Sequence, residues 1–403
     1  MKTRTVHILI AVVAIIAIGF ILVTQQQTTP ARYVSGTQLA TPVATPQPFR
    51  ATYSSGTSTA AAPATTTSTS TAVKKLVSPS KASSTAQTRP KTISAPSTQP
   101  APPPPTPKEN QAMRLEKPYG TRPLSVELVN ERTRRALVNI LCESQNAYVN
   151  PSSGSGVIID PRGIILTNAH VAQRVLLAQD PKNGVSCVIR TGSPAVGLWR
   201  ASVLYFPLPW AQEHAADLRK QLARGSGEYD FALLWISSTD GSSPLPSSFP
   251  YVPIDERESI GFVDDQVLAA SYPAELVGGI TTRNSLYAVS SVTTIKNLLT
   301  FSKNAVDQIS LGGIIAAQGG SSGGAVVNVW GYLIGIISVT TEGTTTAARD
   351  LRAITTAHID RSMRAQTGNS LADFLRDDPQ ILREAFMRNS QDAIMTLYVN
   401  ILR

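Results

Sequence analysis

Short apolar runs separated by turn signals fill the sequence from residue 137 to residue 355. The string D-P-R-G at 160–163, with proline second and glycine fourth, is a typical turn, and strand-like runs at 156–160 and 163–167 flank it. A Ser- and Pro-rich stretch at 237–254 divides the runs into two groups. Short strands at this spacing indicate an all-β fold in two parts.

The apolar spacing becomes helical after residue 357. D-D-P at 377–379 and N-S at 389–390 are helix-start signals. The sequence therefore predicts a C-terminal extension of short helices over residues 366–403. A further helix is expected at 210–224, as an insertion between two strands.

An uncharged apolar run of sixteen residues, 8–23, follows the short basic stub of residues 1–7. This run is slightly short for a spanning helix and long for the apolar core of a signal peptide. No small-residue cleavage site follows it, so we expect an uncleaved transmembrane signal anchor with its N-terminus in the cytoplasm. The alternative is a cleaved signal peptide; with either, the rest of the chain would be extracytoplasmic.

Residues 24–110 are a low-complexity stretch of Thr, Ser, Pro and Ala, which has too few large apolar residues to fold. We expect a disordered spacer that holds a domain away from the membrane. Contact with anionic lipid or cell-wall polymer is a second, compatible role. Of the 36 basic residues, ten lie in 1–110, with only one of the 27 acidic residues, so residues 111–403 carry 26 of each. A neutral folded part argues against a nucleic-acid partner.

The two cysteines, Cys142 and Cys187, have no metal-binding spacing, and the four histidines are scattered. The sequence therefore predicts no metal site and no cofactor.

Three strings combine into a hydrolytic site. Ser322 lies in G-S-S-G-G at 320–324, where glycines let the backbone approach a reacting carbonyl and let the N–H groups of Gly320 and Ser322 form an oxyanion hole. A serine hydroxyl also needs a base, which a carboxylate must orient. His170 in T-N-A-H and Asp230 in Y-D-F-A supply these groups, and the order His, Asp, Ser is known for this triad.

At these strings the sequence resembles trypsin-fold serine peptidases, most of all the HtrA (Deg) type. The matching strings are G-S-G-V-I-I-D-P-R-G-I-I-L-T-N-A-H-V at 154–171, Y-D-F-A-L-L at 229–234 and G-S-S-G-G-A-V-V-N at 320–328. The resemblance covers about 125–365. It implies two six-stranded antiparallel β-barrels, with Ser322 as nucleophile, His170 as general base and then acid, and Asp230 as the orienting carboxylate.

Two departures from this family are informative. Digestive-type relatives pair a new N-terminus with an Asp just before the nucleophile, but Ser321 stands there, so loop ordering must shape the oxyanion hole instead. HtrA proteins usually carry a PDZ domain after the protease domain. The residues after 365 are too few for one, so a relative without PDZ is expected.

The resemblance also suggests the specificity pocket and a disulfide. Ala316, six residues before the nucleophile, would line the floor of the pocket, together with Ser338. No acid is present there to attract Arg or Lys, so cleavage after small or aliphatic residues is expected. Cys142 and Cys187 would lie on the neighbouring first and fourth barrel strands, either as a disulfide or as two buried thiols.

The sequence thus indicates a membrane-anchored, extracytoplasmic serine endopeptidase that acts on polypeptides, with a bacterial envelope role in quality control or processing implied by the resemblance. The oligomeric state stays open, a homo-oligomer included. One alternative is a surface-tethered binding module on a protease fold. Another is an esterase of the α/β-hydrolase type using Asp350 and His358, although Ser322 leads into a strand where that fold needs a helix.

Overall fold

The computed structural model describes residues 115, 117–219, 227–241, 244–274, 282–301, 305–314, 318–340, 345 and 349–402. All of them lie in the second of the two units into which the chain divides, residues 101–403. The predicted stub 1–7, anchor 8–23 and linker 24–110 fall outside the described residues. Within the described ranges, no helix has both the length and the apolar character needed to cross a bilayer.

The first group of strands closes into a barrel of six, in the order β1-β2-β3-β6-β5-β4. All its pairs are antiparallel, and the predicted turn at 160–163 connects β2 to β3. Its interior is lined by apolar side chains such as Ile140, Ile165 and Leu234, which are fully or almost fully buried. The strands are β1 (Leu137–Ser144), β2 (Ser152–Asp160), β3 (Ile164–Thr167), β4 (Val185–Thr191), β5 (Val196–Tyr205) and β6 (Ala232–Thr239).

The second group forms a barrel-like sheet of seven strands rather than the predicted six, in the order β8-β7-β11-β12-β13-β10-β9. The additional strand, β9, has only three residues, and a run that short shows no alternating pattern in sequence. A second apolar cluster fills this sheet, separate from that of the first barrel. The strands are β7 (Gln266–Ser271), β8 (Val289–Thr294), β9 (Asn297–Leu299), β10 (Gln308–Ser310), β11 (Ala325–Asn328), β12 (Leu333–Thr340) and β13 (Leu351–Thr355).

The helix α1 (Val126–Ala136) contacts both sheets, packing on β2 and on β7, β8 and β11. Ser125 caps it by accepting a hydrogen bond from the Leu128 N–H at 3.3 Å. Further α-helices are α2 (Ala169–Leu177), α3 (Leu208–His214), α4 (Thr356–Thr367), α5 (Leu371–Phe374), α6 (Pro379–Phe386) and α7 (Asp392–Val399). Segments of 3-10 helix occupy Pro181–Asn183 and Ala215–Arg219, and a π-helix occupies Met387–Gln391.

The predicted C-terminal helices pack on the first barrel and share its apolar core. Tyr398 of α7 is fully buried, and its hydroxyl is hydrogen-bonded to Gln173 of α2 at 3.4 Å. Because α2 also carries His170, the end of the described chain braces the helix that presents this histidine.

Cys142 and Cys187 form a disulfide across the pair β1 and β4. The two residues stand directly opposite each other in the strand register, and Cys142 is almost completely buried. Closing a loop with a sequence separation of 45 residues restricts the unfolded chain and stabilises the fold by roughly 4 kcal/mol in the chain-entropy model.

Candidate active site

Strand pairing brings His170 and Asp230 together. Thr167 at the end of β3 is paired with Ala232 at the start of β6 in antiparallel register. Residues shortly after Thr167 and shortly before Ala232 must therefore meet at one end of the barrel. His170 lies in the first turn of α2, and Asp230 lies two residues before β6.

Asp230 holds His170 at two points. Its Oδ2 lies 2.7 Å from the ring Nδ1, and its Oδ1 accepts a hydrogen bond from the His170 backbone N–H at 2.9 Å. The Asp230 side chain is fully buried, whereas 12% of the His170 side chain is exposed. With Nδ1–H donated to the carboxylate, Nε2 is left to accept a proton.

The Asp230 carboxylate is held ionised by its partners. Burial disfavours the charged form, but the charge of His170 and hydrogen bonds from His170 and Ser338 outweigh burial and keep the pKa of Asp230 below its ordinary value of 3.8. The Ser338 hydroxyl donates to Oδ2 at 3.0 Å. Ser338 stands where the pairing of β12 with β13 shifts, between Ile337 and Val339, and such a bulge re-aims a side chain.

Ser338 thus contacts the Asp230 carboxylate, a contact that the sequence did not reveal. The only signal was a hydroxyl in the apolar run at 333–339. Ala316, expected beside it in the specificity pocket, lies outside the described residues.

The first three residues of the T-N-A-H string, Thr167, Asn168 and Ala169, each have a structural role. The Thr167 hydroxyl donates to the Ser155 carbonyl at 2.7 Å, which fixes the end of β3. The Asn168 amide donates to the Asp230 carbonyl at 2.7 Å and so ties the histidine loop to the aspartate loop. Ala169 has no exposed surface, so a larger side chain would not fit there.

Ser322 is presented by a tight loop that leads into β11. The glycine after it, Gly323, has φ +83° and lies so close to the first barrel that a Cβ would stand 2.0 Å from the Ser155 carbonyl oxygen and 2.3 Å from the Thr167 hydroxyl. The second half of G-x-S-G-G is therefore fixed by contact with the strands that carry the histidine loop. No hydrogen bond joins Ser322 Oγ to His170 Nε2, although both residues are among those described.

Two backbone donors beside Ser322 are free. The Ser321 N–H donates to the Gln318 carbonyl at 3.1 Å, which closes a turn with Gly320 third, at φ +94°. This is the position where a type II turn requires positive φ. Within the described part of the chain, the N–H groups of Gly320 and Ser322 donate to no other protein group. Unpaired donors flanking a nucleophile are what an oxyanion hole needs.

Ser155 of β2 connects the nucleophile loop to the rest of the site. Its N–H donates to the Ser322 carbonyl at 2.7 Å, and its hydroxyl donates to the Gly320 carbonyl at 2.8 Å. The same hydroxyl accepts from the Tyr272 N–H at 2.9 Å. Ser155 is completely buried. One residue of the first barrel therefore holds the carbonyl groups of both Gly320 and Ser322.

Comparison with known proteins agrees with this geometry. Residues 154–336, which contain all three predicted catalytic residues, match the family model described as the trypsin-like peptidase domain. Residues 154–336 are therefore similar to a trypsin-like peptidase domain, and this match supports a serine endopeptidase. A crystal structure of the serine endoprotease from Yersinia pestis is similar at 23% sequence identity and a TM-score of 0.39, over 62% of this chain and 70% of that one. No curated protein sequence matches the chain.

Ser321 of the peptidase domain is held by an uncharged contact. Digestive-type peptidases instead pair an Asp at this position with a new N-terminus. Ser321 is almost completely buried, and the Ser271 hydroxyl donates to its Oγ at 3.0 Å. A neutral hydroxyl pair thus stands where an N-terminal ion pair would otherwise order the loop.

The contacts of His358 and Asp350 do not support the esterase alternative. The ring of His358 contacts Asp307 at 2.8 Å and the Glu228 carbonyl at 2.6 Å. Asp350 is instead bonded to Ser310 and to Arg352. These contacts do not form an Asp-His pair on Ser322, and Ser322 leads into β11, where an α/β-hydrolase places a helix after its serine.

Proposed function

We propose that the peptidase domain cleaves polypeptides through an acyl-enzyme formed on Ser322, with His170 and Asp230 completing the triad. Ser322 Oγ attacks the scissile carbonyl carbon while His170 Nε2 takes the hydroxyl proton. The resulting imidazolium then protonates the leaving amine as the C–N bond breaks. Water then attacks the ester carbonyl while Nε2 takes its proton, and the imidazolium returns a proton to Ser322 Oγ as the C–O bond breaks and the acid product leaves.

The observation that carries this proposal is the two-point contact between Asp230 and His170. A buried carboxylate with a depressed pKa stays ionised, so it stabilises the imidazolium that forms during the reaction. Its second bond, to the His170 backbone N–H, fixes the start of α2 and with it the ring orientation.

The free N–H groups of Gly320 and Ser322 support the same mechanism. They would receive the oxyanion of each tetrahedral intermediate, and removal of one such donor typically costs a factor of about 100 to 1,000 in rate. The missing Ser322–His170 hydrogen bond is compatible with it, because catalytic bonds of this kind often shorten only when substrate is bound.

For substrate choice, we propose cleavage after small or aliphatic residues. The support is the apolar character of Ile314, Ile315 and Ala316 and the absence of an acid from that run.

For location, we propose an HtrA-type peptidase anchored by residues 8–23, with its domain outside the cytoplasm and a role in envelope quality control or processing. The disulfide between Cys142 and Cys187 supports an oxidising compartment. A flexible segment as long as residues 24–110 would let the domain reach on the order of 50 Å from the membrane.

The test is digestion of reduced β-casein by the full-length chain and by its Ser322→Ala variant, with the new termini read by mass spectrometry. We expect cleavage by the unmodified chain only, with small or aliphatic residues on the acyl side of each cut. No products from either protein while the casein binds would favour the binding-module alternative, and equal products from both would show that Ser322 is not the nucleophile.

A further inference from the structure

A second histidine–aspartate pair contacts the loop that carries Asp230. The ring of His358, in the first turn of α4, has Nδ1 2.8 Å from Asp307 Oδ1 and Nε2 2.6 Å from the Glu228 carbonyl oxygen. The pair is buried, with 9% of the His358 side chain and 3% of the Asp307 side chain exposed. Glu228 precedes Asp230 by two residues, so this contact lies on the backbone of residues 227–230, which we call the aspartate loop.

The second sheet fixes the position of this ring. Asp307 immediately precedes β10, and its carbonyl accepts a hydrogen bond at 2.9 Å from the N–H of Thr355, the last residue of β13. The Thr355 hydroxyl in turn caps α4 by accepting from the His358 N–H at 3.1 Å. The pairing of β10 with β13 therefore sets the carboxylate and the imidazole side by side.

The contacts of the ring assign a hydrogen to Nε2. A carbonyl oxygen can only accept, so the hydrogen between His358 and Glu228 belongs to the ring. On the other side of the ring, the Asp307 carboxylate accepts from Arg361 and, through Oδ2, from the Phe301 N–H at 2.6 Å. A carboxylate that accepts from these donors is an acceptor for Nδ1 as well, so the ring makes both of its bonds only with a proton on each nitrogen.

The aspartate loop is packed tightly against the same part of the second sheet. Gly227 has φ +93°, and a Cβ there would stand 2.3 Å from Gln308 Nε2 and 3.1 Å from Phe301 Cζ. The Phe301 ring also meets the His358 ring edge to face, with centroids 5.1 Å apart. The Asp230 N–H closes the loop by donating to the Gly227 carbonyl at 3.3 Å. A displacement at the start of the loop therefore moves Asp230 as well.

We propose that His358 is a positioning residue for the triad, because its Nε2–H holds the Glu228 carbonyl and with it the aspartate loop. This inference rests on the proposed function of His170 and Asp230. The first barrel holds the far end of the loop, where the Asn168 amide donates to the Asp230 carbonyl at 2.7 Å. His358 holds the near end from the second sheet. The two supports together keep the carboxylate 2.7 Å from Nδ1 of His170.

His358→Gln and His358→Asn form a matched pair of variants, because both remove the ring and its charge. The Gln amide nitrogen reaches about as far as Nε2 and keeps a donor for Glu228, whereas the Asn amide nitrogen reaches only the place of Nδ1, beside Asp307. In the full-length chain, fluorophosphonate labelling of Ser322 should slow about 10- to 100-fold in His358→Asn and less than about threefold in His358→Gln. Equal losses in the two variants, or no loss in either, would overturn the proposal.

Arg361→Gln separates the contact with Glu228 from the charges around it. Arg361 is 32% exposed and pairs with Asp307, so its replacement removes a charge from the cluster and leaves the bond from Nε2 in place. The labelling rate should change less than about twofold, since partly exposed ion pairs contribute little. A loss as large as that of His358→Asn would assign the effect to the charge cluster and refute a role for the Nε2–H.

The Nδ1–H of His170 gives a readout that needs no catalysis. In the full-length Ser322→Ala chain labelled with ¹⁵N at histidine, its bond to Asp230 should give a resolved proton signal. The signal should persist in His358→Gln and disappear in His358→Asn, because a displaced carboxylate lets this proton exchange with water. An unchanged signal in His358→Asn contradicts the positioning role alone. An unmodified chain that does not label, with a His170 signal that still depends on His358, contradicts the proposed function alone.

The Nε2–H of His358 supplies a measurement that applies even where His358→Asn does not fold. In the same spectrum it should appear as a slowly exchanging signal, assigned by its loss in His358→Gln. Rapid exchange of this proton with water would show that Nε2 does not hold the Glu228 carbonyl, and the proposal would fail. Thermal unfolding midpoints of all variants confirm that each is folded at the temperature of the measurements.

Discussion

The backbone N–H of Ser155 donates to the Ser322 carbonyl at 2.7 Å, although Ser155 lies in the first barrel and Ser322 in the loop that leads into the second sheet. With the Ser155 hydroxyl on the Gly320 carbonyl, this contact holds two carbonyl groups of the loop that presents Ser322. The first barrel therefore supplies the support of the nucleophile loop as well as His170 and Asp230.

Ser155→Ala keeps the backbone contact but removes the hydroxyl from Gly320 and Tyr272. We expect the rate of peptide cleavage to fall about 100-fold, because a small misplacement of the oxyanion donors costs about that much. The kcat should fall more than KM rises. Ser202→Ala is the control, since Ser202 is also buried and its hydroxyl is bonded to Ser237, away from Ser322. Equal activity losses in the two variants would refute a positioning role for Ser155.

Gly323→Ala tests the close approach of the nucleophile loop to the first barrel. Its Cβ would collide with the Ser155 carbonyl and the Thr167 hydroxyl, so we expect the free energy of unfolding to fall by about 3 kcal/mol or more. Gly368→Ala has a similar positive φ of +79° but meets no atom within 4 Å, and it should cost about 1 kcal/mol. Urea unfolding of both variants measures the difference, and similar losses would show that φ strain alone is responsible.

We expect the ionisation of Asp230 to make the free energy of unfolding depend on pH. Its pKa is lower in the folded chain than its ordinary 3.8, so the unfolded chain binds a proton more readily and the carboxylate stabilises the fold above that pH. In a Ser322→Ala background, the free energy of unfolding of the chain with Asp230, minus that of the chain with Asp230→Asn, should decrease as the pH falls below about 4. A difference that stays constant or grows on acidification would contradict the depressed pKa.

The disulfide gives a prediction with an internal control. Reduction should lower the free energy of unfolding by roughly 4 kcal/mol, since the loop between Cys142 and Cys187 is released in the unfolded chain. The sequence has only these two cysteines, so dithiothreitol acts on one bond. A Cys142→Ser/Cys187→Ser variant should have the same free energy of unfolding as the reduced protein, and dithiothreitol should not change it. A reductant effect on that variant would mean that the loss has another cause.

The sequence predicted the parts of the site that lie in local strings. His170, Asp230 and Ser322 each stand among small or apolar residues whose spacing already indicates a loop between strands. Ser155 lies inside one of the same strings, but its partners are up to 167 residues away, and no local pattern records them. The role of Ser338 depends on a strand bulge, and β9 is too short to show alternation.

Among the described strands of the second sheet, β9 was the one that the sequence did not predict. Its three residues are too few to show the alternation that reveals a strand. The first barrel has long, fully buried segments in β2, β3 and β6, and there six strands were predicted correctly.

The most direct test of the triad is labelling of the full-length chain with a fluorophosphonate, followed by mass mapping of the adduct. This reagent reacts with a serine only when a base activates it and an oxyanion hole is formed. We predict a single adduct on Ser322, none in Ser322→Ala, loss of the adduct in His170→Ala, and labelling roughly 10,000-fold slower in Asp230→Asn, where the ring takes the wrong tautomer. An adduct on Ser322 that forms at the same rate without His170 would contradict the account.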